Sequence, residues 1–146
     1  MEIPPFSLHT PKDKSGRVYE HSSCRIIINS TSGTVRWINA VSVYELATTL
    51  PLEEKYNLGN QLRKAVTSAP LNIAEGCGPA SNAEFGRFLS YAYRSLKEVV
   101  TALELCERLY PSLRRDRTPS LIDEGNQISR MTYNLMQKVD PENNSR

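Results

Sequence analysis

The amino-acid sequence predicts an all-α fold: an antiparallel, up-down-up-down four-helix bundle that follows an N-terminal arm. Between residues 35 and 140, apolar residues recur at intervals of three and four along four segments, as on the buried faces of amphipathic helices. The linkers between these segments are short, and short linkers place neighbouring helices antiparallel. The chain has 146 residues, which suits one domain of ordinary size.

Residues 1–34 differ from the rest of the chain because they are rich in proline, glycine, serine and threonine. We expect them to form an extended or disordered arm. Residues 25–39, RIIINSTSGTVRWIN, place two β-branched runs around a Ser-Thr-Ser-Gly turn, which is typical of a β-hairpin. A helix that starts near Val35 is the competing interpretation, and the local sequence does not decide between the two. Residues 141–146 are expected to form a disordered tail.

The first two predicted helices meet at Pro51. The first begins near Trp37 and stops before Pro51, because a residue that precedes proline disfavours helical backbone angles. Pro51 then opens the second helix, where its missing N–H costs nothing, and Pro70 bends this helix. Gly76 or Gly78 supplies the C-terminal stop. The apolar stripe of the second helix consists of Leu58, Leu62, Ala65, Ala69 and Ile73.

The third and fourth predicted helices have clear start signals. Ser81 and Glu84 form an S-x-x-E capping box, and apolar residues at helical spacing then continue up to Pro111. Thr118 and Pro119 follow as an N-cap and first-turn pair for the last helix. The four-helix bundle is therefore expected to span residues 35–140.

The charge balance and the termini limit the classes of function. Lys and Arg number 18 and Asp and Glu 16, so the net charge of +2 is too small to indicate a nucleic-acid-binding protein by itself. The sequence has neither a run of about 18 apolar residues nor the apolar core of a secretory signal, so we expect a cytoplasmic protein without membrane contact. The three cysteines, odd in number and irregular in spacing, argue against a disulfide framework or a zinc site.

The sequence offers little support for a catalytic or cofactor site. Di-metal bundles need Glu-x-x-His pairs on facing helices, whereas His9 and His21 both lie in the arm. Cys77 has no histidine nearby in the sequence, and it follows a helix C-terminus, where the helix dipole disfavours a thiolate. The GCGPAS stretch matches neither phosphate-binding glycine pattern, although the N-terminus of the third helix could attract an anion. We expect no enzyme, no cofactor and no metal site.

Polar residues interrupt the apolar pattern of the second helix. Ser68, Asn72 and Glu75 are spaced by four and three, so they share one face beside the apolar stripe. Antiparallel packing of the second and third helices would bring Glu75 opposite Arg87. One interpretation is a structural polar network of these four residues that fixes the register of the two helices. The other is a contact with a ligand or with RNA.

Basic residues form local groups despite the small net charge. Groups on the second and third helices and in the loop before the fourth could neutralise phosphates, and a symmetric oligomer would repeat each weak patch. The alternative is that these basic groups only form a charged, solvent-exposed surface. The candidate nucleic-acid-binding residues are Arg63, Lys64, Arg87, Arg94, Lys97, Arg114, Arg115 and Arg117.

Residues 61–109, QLRKAVTSAPLNIAEGCGPASNAEFGRFLSYAYRSLKEVVTALELCERL, resemble the signature of the four-helix bundle proteins related to the 23S rRNA intervening-sequence protein. The family pattern is approximately R-x-A-x-x-S-x-P-x-N-I-A-E-G followed by E-F-x-R-F-L-x-x-A-x-x-S-x-x-E, and it falls on residues 63–76 and 84–98. The resemblance extends over about residues 44–139. Members of the family usually begin with a longer first helix, so residues 1–34 are either an extension or the result of a misassigned start codon.

The resemblance implies an antiparallel four-helix bundle that assembles as a homo-oligomer, with a pentamer as the expected form. The family is similar to the accessory protein of diversity-generating retroelements, which partners a reverse transcriptase and nucleic acid. The resemblance implies no catalytic residues. The hypothesis is therefore a non-enzymatic oligomer that binds RNA or DNA through basic surface residues, as an accessory factor. The alternative is a scaffold that binds a protein, such as a reverse transcriptase, without contacting nucleic acid.

Overall fold

The computed structural model of the chain describes residues 40–77, 81–115 and 117–139, and of residues 114 and 115 it describes the backbone alone. In these ranges the chain forms α-helices and no strand, which confirms the all-α four-helix prediction. The helices are α1 Ala40–Thr49, α2 Leu58–Gly76, α3 Asn82–Leu109 and α4 Thr118–Val139. Two short 3-10 helices in the linkers span Leu52–Glu54 and Pro111–Arg115. The predicted arm, with its hairpin or helix alternatives, and the predicted tail lie outside the described residues.

Helices α2 and α3 pack side by side in opposite directions. The C-terminal end of α2 lies against the N-terminal end of α3, where a Cβ atom on Gly76 would stand 2.8 Å from the Phe85 ring. Farther from this junction along both helices, the Ser95 hydroxyl donates a hydrogen bond to Ser68 Oγ at 2.9 Å. Gly76 and Phe85 are 9 residues apart in the sequence, whereas Ser68 and Ser95 are 27 apart. The separation grows with distance from the junction, as antiparallel packing requires.

Helix α4 packs against the other side of α3, also antiparallel. The ring centroids of Tyr93 on α3 and Tyr133 on α4 are 5.7 Å apart. Toward the end of α3 and the start of α4, Cys106 and Leu121 belong to one apolar cluster. From the first contact to the second, the residue number rises on α3, from 93 to 106, and falls on α4, from 133 to 121. The two helices therefore run in opposite directions.

The core consists of two apolar clusters. The first contains residues of all four helices and lies at the end of the bundle where α2 begins and α3 ends: Val43, Leu46, Leu50, Leu62, Ala65, Val66, Ala69, Leu96, Val99, Ala102, Leu103, Cys106, Leu121 and Ile128. The second contains residues of α2, α3 and α4 and lies at the opposite end: Ile73, Phe85, Leu89, Ala92, Leu135 and Met136.

Hydroxyl side chains separate the two clusters. We name them the hydroxyl layer, which consists of Ser68, Ser95, Ser129 and Thr132. The hydroxyls of Ser129 and Thr132 are buried, and they donate to the carbonyl oxygens of Gly125 and Ile128 one turn earlier, at 2.7 and 2.9 Å. Bonds of this kind satisfy a buried hydroxyl within its own helix. The layer therefore interrupts the apolar core without leaving these donors unpaired.

The start of α2 differs from the prediction. Pro51 precedes only the 3-10 helix Leu52–Glu54, and α2 begins at Leu58. The Glu54 carboxylate explains the later start, because its Oε2 accepts hydrogen bonds from Asn57 Nδ2 at 3.0 Å and from the Leu58 N–H at 3.4 Å. Asn57 has φ of −106° and ψ of −104°, which are not helical angles. A side chain four residues upstream thus caps α2.

The end of α2 differs from the expected glycine stop. Gly76 is the last residue of the helix, and Cys77 after it keeps right-handed angles, with φ of −78° and ψ of −4°. Gly76 is instead required by close packing, since a Cβ there would lie 2.8 Å from both the Phe85 ring and Phe88 Cβ. Gly78, the other candidate, lies outside the described residues.

The two later helices begin in different ways. Ser81 caps α3, because its Oγ accepts the Glu84 N–H at 3.2 Å, but the Glu84 carboxylate binds Arg87 and does not complete the predicted capping box. The prediction that Thr118 caps α4 is wrong: Thr118 is the first helical residue, it is fully buried, and its Oγ1 has no hydrogen-bond partner among the residues that the structure describes. The carbonyl oxygen of Arg117 accepts the Leu121 N–H at 3.0 Å, so Arg117 holds the capping position.

Candidate nucleic-acid interface

Two of the predicted basic residues hold linker segments in place. Arg63 Nη2 donates a hydrogen bond to the carbonyl oxygen of Lys55 at 2.7 Å, which fixes the turn before α2. Arg117 Nη1 lies 3.7 Å from the Glu45 carboxylate and 3.4 Å from Ser42 Oγ, which links the start of α4 to α1. Both guanidinium groups therefore have protein partners, although the contacts are exposed and an exposed ion pair contributes little to stability.

Arg87 also has protein partners, but they are not the expected one. Its Nη2 lies 3.4 Å from Glu84 Oε1, and its guanidinium carbon lies 5.7 Å from the centre of the Phe88 ring. Glu75 is exposed and forms no hydrogen bond or ion pair with the described residues. The expected Glu75–Arg87 pair is absent because Glu84, one turn earlier on the same helix, is the carboxylate nearest to Arg87.

The remaining predicted basic residues lie on several elements. Lys64 on α2 and Arg94 and Lys97 on α3 are exposed, and their charged groups make no hydrogen bond or ion pair within the described ranges. The backbones of Arg114 and Arg115 lie in the second 3-10 helix, and their side chains are outside the description. The structure therefore distributes the predicted cations over several elements.

The polar network of α2 closes onto α3 through a serine. Asn72 Nδ2 donates to the carbonyl oxygen of Ser68 at 2.8 Å and to Ser68 Oγ at 3.1 Å. Ser95 Oγ lies 2.9 Å from Ser68 Oγ and 3.1 Å from the carbonyl oxygen of Tyr91. The predicted contact between Ser68 and Asn72 exists, but Ser95 rather than Arg87 joins it to α3. All these partners lie within the protein, which favours a structural role.

A cleft between α3 and α4 combines the side chains that a nucleic-acid site needs. Its volume is about 240 Å³. The lining provides two cations, two tyrosine rings and two amides: Tyr93, Lys97, Asn126, Ser129, Arg130, Tyr133 and Asn134. Among the described residues, no carboxylate lines the cleft. It is the candidate functional site, and we name it the α3–α4 cleft.

The helical period explains how these residues come together. Tyr93 and Lys97 are four residues apart, so they lie one above the other on the same side of α3. Asn126, Arg130 and Tyr133 are spaced by four and three, which gives them one side of α4. Antiparallel packing of the two helices then turns these two polar sides toward each other across the cleft.

The electrostatic character of the α3–α4 cleft is positive. Lys97 and Arg130 carry charged groups that form no hydrogen bond or ion pair with the part of the chain described. The rings of Tyr93 and Tyr133 meet at an angle of 48°, and Tyr133 is 43% exposed. Cations beside aromatic rings can bind phosphates and stack bases at the same time.

Sequence reasoning found only one residue of the α3–α4 cleft, Lys97. It missed Arg130, both tyrosines and the two asparagines. The available signal was the spacing of Asn126, Arg130 and Tyr133 on α4, together with Tyr93 four residues before Lys97 on α3. Such spacing is also usual on a solvated helix surface, so it becomes informative only once α3 and α4 are known to face each other there.

The described residues contain no group of three His, Cys, Asp or Glu side chains that could hold a metal ion. Cys106 is a buried free thiol, and burial, with a smaller contribution from the charge of Glu54, raises its pKa to about 11. Within the same ranges, no helix combines the length and the apolar character needed to cross a membrane.

The chain resembles a known protein family over most of its described length. A family model described as 23S rRNA-intervening sequence protein matches residues 39–134. The matched range contains α1, α2, α3 and every residue of the α3–α4 cleft. No curated protein matches the chain.

Proposed function

Since the chain belongs to the 23S rRNA-intervening sequence protein family, we propose that it is a non-enzymatic accessory protein that binds RNA or DNA through the α3–α4 cleft. The observation that carries the proposal is the composition of this cleft, whose described lining places Lys97 and Arg130 beside two tyrosines and includes no carboxylate. Neither cation is neutralised by a described neighbour, so both can contact phosphates.

The distribution of the other cations supports the choice of this site. Arg63 and Arg117 bind protein groups of the linkers, and Arg87 is paired with Glu84. Arg94 lies three residues before Lys97, so it can extend the positive surface along α3. The proposal therefore rests on a smaller set of residues than the sequence alone indicates.

The proposal includes assembly into a homo-oligomer, with a pentamer as the expected form. A single copy places few cations in the cleft, and each phosphate contact contributes only part of the affinity. Copies related by symmetry would engage several phosphates of one strand and multiply the effect. Light scattering of the full chain tests this part, and a strictly monomeric protein would contradict it.

Salt dependence tests the binding itself. Fluorescence anisotropy of the full chain with a labelled, structured RNA should show that affinity falls steeply between about 50 and 200 mM salt, because bound cations release counterions from the phosphates. Binding that is insensitive to salt, or no binding at micromolar protein, would refute the proposal.

Charge-matched variants locate the interface. The double variant Lys97→Ala/Arg130→Ala should bind more weakly. The slope of log affinity against log salt concentration should also become shallower by roughly 0.7–0.9 for each lost phosphate contact. The control variant Lys64→Ala/Arg108→Ala removes two exposed positive charges outside the cleft. If the control weakens binding as much as the cleft variant, general charge rather than the α3–α4 cleft is responsible.

A further inference from the structure

We propose that the α3–α4 cleft receives one unpaired base of a single-stranded nucleic acid; this inference rests on the proposed function and specifies its ligand. The cleft has a volume of about 240 Å³. This is below the roughly 300–1,000 Å³ of pockets that take drug-sized ligands. A cleft of this size suits a single base better than a larger ligand.

The tyrosine pair argues for a base that is not stacked within a duplex. The rings of Tyr93 and Tyr133 meet at 48° with centroids 5.7 Å apart, so they are not stacked in parallel on each other. Tyr133 is 43% exposed at the opening of the cleft. An aromatic ring binds a base through the face of the base, and only an unpaired base offers its face.

The amides supply groups that can bind the edge of such a base. Asn126 and Asn134 line the cleft, and each carries one acceptor oxygen and two donor hydrogens. Watson–Crick edges present the complementary donors and acceptors when a base is unpaired. Ser129 does not compete for this role, because its hydroxyl already donates to the Gly125 carbonyl oxygen at 2.7 Å.

The cations complete the site on the backbone side. Lys97 on α3 and Arg130 on α4 belong to opposite walls of the cleft. A strand that places one base between the walls can therefore bring its flanking phosphates to both cations. A duplex could reach the same cations, but its stacked bases would leave the tyrosine rings and the amides without partners.

The test compares probes of equal length on the full-length chain. Anisotropy is measured with an RNA that has no self-complementarity, with the blunt duplex of the same strand, and with the DNA version of the strand. The single strands should bind roughly tenfold or more tightly than the duplex at equal salt, in line with the contribution of base stacking. Equal affinity for single strand and duplex would overturn the inference while leaving the proposed function standing. No binding to any probe would overturn both.

Variants of Tyr133 separate ring stacking from charge. Tyr133→Ala should weaken single-strand binding by about 5- to 150-fold and leave duplex binding unchanged, whereas Tyr133→Phe keeps the ring and should stay close to the original affinity. Tyr133→Leu retains apolar bulk without a ring, so it gives the same test if the alanine variant unfolds. Tyr44→Ala is the matched control, because Tyr44 is 41% exposed on α1 and is not among the described residues that line the cleft. Full single-strand affinity in both Tyr133→Ala and Tyr133→Leu would overturn the inference.

A competition experiment distinguishes binding of a strand from binding of a free nucleotide. Adenosine monophosphate offers the base and one phosphate, whereas a strand offers a phosphate on each side of the base. We expect the mononucleotide to displace the labelled strand only at concentrations far above the affinity of the strand, since it lacks the second phosphate contact. If the mononucleotide binds as tightly as the strand, the cleft is a nucleotide site and the inference is wrong.

Discussion

The close approach of α2 and α3 at Gly76 gives a sharp test of the fold. Replacement of Gly76 by alanine would place a Cβ atom 2.8 Å from Phe85 Cδ2 and 2.8 Å from Phe88 Cβ. Neither neighbour can easily move, because Phe85 is 1% exposed and the Cβ of Phe88 is fixed to the backbone of α3. The two helices must therefore separate, or the ring must leave its position in the second apolar cluster.

Two opposing effects set the size of the change. Alanine in place of glycine favours a helix by up to about 1 kcal/mol. Insertion of extra atoms into a packed core costs about 1–3 kcal/mol. Since both contacts are far inside van der Waals distance, we expect the second effect to dominate, with the free energy of unfolding lowered by about 1–2 kcal/mol. For a domain of this size that corresponds to a decrease in Tm of roughly 3–10 °C.

Thermal and urea unfolding followed by circular dichroism measures this change. Gly59→Ala is the matched control, because its nearest contacts would be 3.1 Å to the Glu54 carbonyl oxygen and 3.4 Å to the Arg63 side chain. The control should therefore lose less stability than Gly76→Ala. A Gly76→Ala variant as stable as the original protein, or less affected than the control, would refute this account of the α2–α3 junction.

Two further predictions concern buried polar groups. Ser68→Ala should lower the free energy of unfolding by about 1 kcal/mol, because Asn72 and Ser95 both lose a partner. Urea unfolding measures this change. If the effects of Ser68→Ala and Ser95→Ala simply add in the double variant, the two serines do not share a network. The pKa of Cys106 is raised from 9.0 to about 11, so the folded state holds the thiol proton more tightly than the unfolded state does. The contribution of this thiol to the free energy of unfolding is therefore complete below about pH 9 and is lost as the pH rises toward 11. The loss should reach roughly 2–3 kcal/mol relative to Cys106→Val, which cannot ionise, and equal pH dependence of the two proteins would contradict the prediction.

The parts of the fold that local sequence determines were predictable. Ser81 caps α3, and α3 ends at Leu109 just before Pro111, because capping and proline geometry act within one turn. The start of α2 was not predictable in the same way. It depends on the Glu54 side chain, which binds the Leu58 N–H across a non-helical Asn57.

The candidate site was less accessible from the sequence. A list of cations does not show which of them already have partners, and Arg63 obtains its partner only because the turn before α2 presents the Lys55 carbonyl oxygen. The α3–α4 cleft depends on the register of two helices, and register comes from contacts between residues far apart in sequence. Tyr93 and Tyr133 are 40 positions apart, so no local pattern reveals that their rings meet.

The hydroxyl layer has a mechanical consequence for the α3–α4 cleft. On α4, Ser129 and Thr132 flank Arg130 and adjoin Tyr133, so the layer lies directly behind the cleft wall. These two hydroxyls donate within their own helix, whereas the apolar clusters above and below hold α3 and α4 together by dispersion and burial. At the level of the cleft, the rings of Tyr93 and Tyr133 join the two helices instead. The α4 wall of the cleft is therefore supported by hydrogen bonds within its own helix.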